Sequence, residues 1–81
     1  MVIKILGTGW PKCKELDKRV REVIEEMKVN ATIEHVTDIK KILEYPIMTT
    51  PGLVIDEKLV LSGKVPSKKE IETFISTNLN K

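Results

Sequence analysis

Residues 7–13, GTGWPKC, decide how this chain is read, because they join a short apolar run to a long charged amphipathic stretch and end on the only cysteine present. Before them, Val2 to Leu6 is a branched apolar run broken only by Lys4 and stopped by Gly7, the pattern of a largely buried interior strand. After them, Leu16, Val20, Val23, Ile24 and Met27 recur at the spacing of one buried helix face, so a helix is predicted from Pro11 to about Met27. Cys13 precedes Leu16 by one turn and lies on that same face. Proline suits the first helical position, where its missing N–H removes no bond. On the other face, Glu15 with Arg19 and Asp17 with Arg21 form favourable pairs, each contributing roughly 0.3 kcal/mol.

Further along, Ala31 to Val36 has the branching and alternation of a second strand with one polar face. Thr37 or Asp38 then caps a short helix through Ile39, Ile42 and Leu43 that ends before Pro46. Parallel pairing of the first two strands requires a right-handed crossover by the long helix. Leu53 to Ile55 and Leu59 to Leu61 flank Asp56-Glu57-Lys58 and read as a hairpin, although Glu57 is a poor substitute for the glycine such turns favour. Ser67 and Glu70 form a capping box, followed by the stripe Ile71, Phe74, Ile75 and Leu79 of a closing helix. The order is βαβαββα, without repeat, linker or low-complexity segment.

At 81 residues the chain reads as a single domain, 1–81. A net charge of +2 gives no basis for nucleic-acid or membrane-surface binding. No run is long and apolar enough to span a bilayer, and MVIKILGTG lacks the plan of a signal peptide, so a cytoplasmic location is expected. One cysteine and one histidine, His35, fall short of a zinc site, and no phosphate-binding glycine loop is present. No metal or cofactor is expected. His35 reads as structural or solvated, and Tyr45-Pro46 as a helix end.

The order of elements, with GTG-x-P-K-C after the first strand and T-T-P-G-L-V-I-D before the hairpin, resembles the thioredoxin fold. Within it the chain is similar to the small thioredoxin- and glutaredoxin-like redox-active disulfide proteins of archaea and bacteria, nearly end to end. That resemblance implies an α/β domain with a four-stranded mixed sheet and three helices, the first and last on one face and the short one on the other. It also implies that Thr50-Pro51 is the family's Thr-Pro, whose proline is cis and faces the site. In those relatives the first strand leads into Cys-x-x-Cys, which places the first cysteine at Trp10 and the second, resolving cysteine at Cys13. The first is the nucleophile, exposed at the helix N-terminus, and the second releases the mixed disulfide. This chain keeps only the second.

The resemblance therefore implies a thiol–disulfide oxidoreductase with an incomplete site, in which Cys13 acts as a lone thiol toward protein or small-molecule thiols and disulfides. An internal disulfide is impossible. The alternative is a non-catalytic module that keeps a peptide-docking surface of Trp10, Pro11, Thr50 and Pro51. The plainer readings stay open beside both: Cys13 as a core thiol, Trp10 as loop packing, and Thr50-Pro51 as a turn before a strand. Lys12 and Lys14 flank the cysteine, but helical spacing points them away from its face. A monomer is expected, because burial of Cys13 disfavours a thiol-linked dimer.

Overall fold

The computed structural model describes residues 1–7, 11–47 and 49–79. Strands β1 (Val2–Leu6), β2 (Thr32–Val36), β3 (Gly52–Ile55) and β4 (Lys58–Ser62) alternate with helices α1 (Pro11–Met27), α2 (Ile39–Ile42) and α3 (Lys68–Leu79) in the order β1 α1 β2 α2 β3 β4 α3. The sheet order is β2-β1-β3-β4, with β1 parallel to β2 and the other pairs antiparallel. This is a thioredoxin-like α/β fold.

The central place of β1 explains its lack of alternation. Ile3 and Ile5 enter a core with Leu53, Ile55 and the inner faces of α1 (Leu16, Val20, Val23) and α3 (Ile71, Ile75). Leu6 points to the opposite face and packs with Val54 and Ile42 of α2. Both faces are covered, so hydrophobic side chains are needed at odd and even positions alike. Lys4, on the α2 side, is the exception. Its ammonium reaches the Tyr45 hydroxyl at 3.2 Å and pairs with the Glu57 carboxylate. Tyr45, whose hydroxyl also donates to Glu57 at 3.1 Å, is thus more than a helix end. These contacts push the Lys4 ammonium above its ordinary range, chiefly through Glu57, and hold Glu57 below its own, chiefly through Lys4.

The hairpin turn is a two-residue loop with positive φ at both positions, 47° at Asp56 and 69° at Glu57. Neither is glycine, and each has a compensating tie. The Asp56 carboxylate accepts the Val2 N–H at 2.8 Å, while Glu57 holds Lys4 and Tyr45. Beyond the turn, Val54 pairs with Leu59 but Leu53 with Leu61, so Val60 is an extra residue that forms a bulge in edge strand β4.

α1 ends as its pattern indicates, at Met27, through a left-handed Lys28 with φ 55°. The Val29 N–H donates to the Ile24 carbonyl and the Lys28 N–H to that of Glu25, the two bonds of a Schellman closure. Asp38 is the cap of α2, accepting the Lys40 N–H at 3.0 Å, and the Ser67 hydroxyl accepts the Glu70 N–H at the start of α3. Two apolar stripes are less buried than their spacing suggests. Ile39 and Leu43 are exposed on either side of buried Ile42, because α2 is a single turn laid on a narrow strip of sheet. Leu79 is likewise exposed at the end of α3. His35, which reads as structural or solvated, meets a carboxylate from the crossover helix: Asp17 lies 3.0 Å from its Nε2.

Candidate functional site

The strongest candidate is the cavity at the start of α1. Its volume is about 400 Å³, and its described lining is Pro11, Lys12, Cys13, Thr50 and Pro51. Two distant segments meet here because β1 and β3 are antiparallel neighbours, with Leu6 opposite Gly52. The chain leaving the end of β1 and the chain entering β3 therefore lie side by side.

Cys13 is 4% exposed and takes its place on the buried stripe with Leu16, Val20 and Val23. It is a free thiol, and its sulfur lies over the α-carbon of Gly7, so close that a Cβ on Gly7 would overlap it. That same Cβ would come to 4.0 Å from the Pro51 α-carbon. Gly7 is thus glycine to let the Cys13 sulfur approach the backbone, a reason that lies beyond local sequence.

The Thr50–Pro51 peptide bond is cis. Thr50 is exposed and Pro51 fully buried, so the pair forms the wall of the cavity facing Cys13. The Pro51 carbonyl accepts the Gly63 N–H at 2.8 Å, fixing the loop from the far side. Gly63 has φ 84°, and a Cβ there would strike the Thr49 hydroxyl. Arg19 adds a second tie by donating from Nη1 to the Pro66 carbonyl at 2.8 Å, joining α1 to the segment that follows Gly63.

Of the residues singled out in the sequence, Pro11, Cys13, Thr50 and Pro51 are brought together. Trp10 lies outside the described residues. Lys12 also lines the cavity with Cys13. Gly7 was legible only as a strand stop and Gly63 not at all, since their roles come from contacts distant in sequence. Among the described residues, no group of three or more His, Cys, Asp or Glu could hold a metal ion, and no helix is long and apolar enough to cross a membrane.

This arrangement offers one sulfur and an adjoining cavity edged by exposed Pro11, Lys12 and Thr50. Comparison with known proteins gives the geometry a family. A family model described as a thioredoxin domain matches residues 1–76. A thioredoxin of Methanocaldococcus jannaschii is 39% identical over 79 residues, covering 98% of this chain and 91% of that protein. A thioredoxin of Methanothermobacter thermautotrophicus is 38% identical over 76 residues, covering 94% and 99%. With relatedness of that degree over nearly the full length, and the sheet order and helix placement of the fold, the chain belongs to the thioredoxin family.

Proposed function

We propose that this chain is a single-domain, cytoplasmic, monomeric thioredoxin-family protein that acts on protein or small-molecule thiols and disulfides through one sulfur. Cys13 stands at the place of the resolving cysteine, Trp10 at that of the nucleophile, and Pro11, Thr50 and Pro51 hold the partner together with Trp10. The observation that carries this reading is the shared cavity: Cys13 and the Thr50-Pro51 wall line one space, although they come from opposite halves of the chain.

The chemistry available to a lone thiol is a single exchange. The Cys13 thiolate attacks one sulfur of a partner disulfide, the S–S bond breaks, and its electron pair leaves on the other sulfur as a thiolate. Cys13 then carries a mixed disulfide, which a second thiol from outside the chain displaces. At 4% exposure Cys13 reacts only with a sulfur that enters the cavity.

Intact-mass measurement after incubation of the native protein with excess glutathione disulfide tests this reading. The expected result is one adduct, absent in Cys13→Ser. A native protein that stays unmodified, with labelling only in denaturant, overturns it. A second reading, a docking module without sulfur chemistry, is favoured by the contrast between buried Cys13 and exposed Pro11, Lys12 and Thr50. It requires that a thiol-free peptide bind equally to wild type and Cys13→Ala, and more weakly to Trp10→Ala.

A further inference from the structure

Along α1 the acidic and the basic side chains are partnered differently. Most of the helix's carboxylates are paired: Glu15 with Arg19, Asp17 with Arg21 and beside His35, and Glu22 and Glu26 with Lys68 at the start of α3. Among the described residues, no carboxylate lies within ion-pair distance of Lys12, Lys14 or Lys18. Lys12 is the only charged residue in the described cavity lining. On the far side, Lys64 directly follows Gly63, whose N–H holds the Pro51 carbonyl. Its nearest carboxylate, Glu70, stands 3.9 Å away, and both groups are well exposed.

This placement opposes the stability of the helix itself. A helix dipole favours acids in the first turn and bases in the last. α1 has no acid in its first turn, which carries Lys12 and Lys14, and no base in its last, which carries Glu25 and Glu26. Both ends of α1 break that rule, and at the N-terminal end the residue that breaks it beside the cavity is Lys12.

We propose that the partner docking in this cavity is an acidic peptide segment, with aspartate or glutamate side chains flanking the sulfur presented to Cys13. The inference rests on the reading of Cys13 as an exchanging thiol and adds the charge class of its partner. Lys12 receives the carboxylate nearest the sulfur, and Lys14, in the same helical turn, adds to the positive field there. No acid of this chain must first be displaced, because none is bonded to Lys12 or Lys14 among the described residues.

The test uses three short peptides, alike except for flanking aspartates, asparagines or lysines, each with one cysteine joined by a disulfide to a chromophoric aryl thiol. Attack by Cys13 on the peptide sulfur releases the aryl thiolate, and the rate is read from its colour. The expected order at low ionic strength is aspartate, asparagine, lysine, with roughly tenfold between the extremes, shrinking toward unity in high salt. In the double variant Lys12→Glu, Lys14→Glu the order inverts, while its urea midpoint rises because the new charges suit the dipole. Equal rates for the three peptides, or an unchanged order in the double variant, overturn the proposal while leaving exchange at Cys13 intact. No reaction with any peptide overturns the exchange reading and this inference with it.

Discussion

The contact between Gly7 and Cys13 ties the candidate site to the core at the level of single atoms. Adding a methyl group in Gly7→Ala forces the Cys13 sulfur or the strand backbone aside, and overpacking of that kind costs roughly 1–3 kcal/mol. Urea denaturation is expected to show the loss, and thiol labelling of the native variant to run faster as the sulfur is displaced toward the cavity. Another single-residue effect concerns pH. Lys4 and Tyr45 hold the Glu57 carboxyl below its ordinary value of 4.5, so their contribution to stability is present above that value. It disappears as pH falls through the lowered value in the folded protein. Glu57→Gln is therefore expected to flatten the acid limb of the stability profile, measured by urea midpoints from about pH 3 to about pH 6, with little change in its slope near neutrality. The Lys4–Tyr45–Glu57 cluster was not legible in the sequence, because its members lie on a strand, a loop and a turn far apart in the chain. Cys13 was legible as buried because its neighbours on the stripe are local.

Among the elements, α1 was readable from end to end, since proline, the apolar period and the charge pairs all act within a few residues. Its closure at Lys28 suggests an improvement. A left-handed C-terminal position suits glycine, and Lys28→Gly is expected to raise stability by about 1 kcal/mol, seen as a higher thermal midpoint. For α2 the helix was legible, but of its apolar residues only Ile42 is buried. Spacing reports which residues share a face, but whether a sheet covers that face depends on strands elsewhere. The contrast gives a paired prediction: Ile42→Ala costs roughly 2–4 kcal/mol by emptying the cluster with Leu6 and Val54, whereas Leu43→Lys changes stability by less than about 0.5 kcal/mol. Chemical denaturation of the two variants checks both. In the hairpin, the strands were legible from their apolar runs and the turn's demand for a glycine-like residue at Glu57 was expected, whereas the ties that hold Asp56 and Glu57 were not, because they reach to β1 and Tyr45.

For the whole molecule, the order of elements and the two-sided burial of β1 could be read because a parallel pair with a helical crossover admits few arrangements. The cavity could be expected only through resemblance, since nothing local brings Cys13 beside Pro51. The sheet achieves that by making β1 and β3 neighbours. The bulge at Val60 has a further consequence at this scale. β4 is an edge, and an edge strand normally offers an even row of N–H and C=O groups that a strand from another molecule can continue. One extra residue in the middle of β4 breaks the spacing of that row and adds twist. A foreign strand can match one half of the edge or the other, but not both, so this side of the sheet is a poor template for fibril growth.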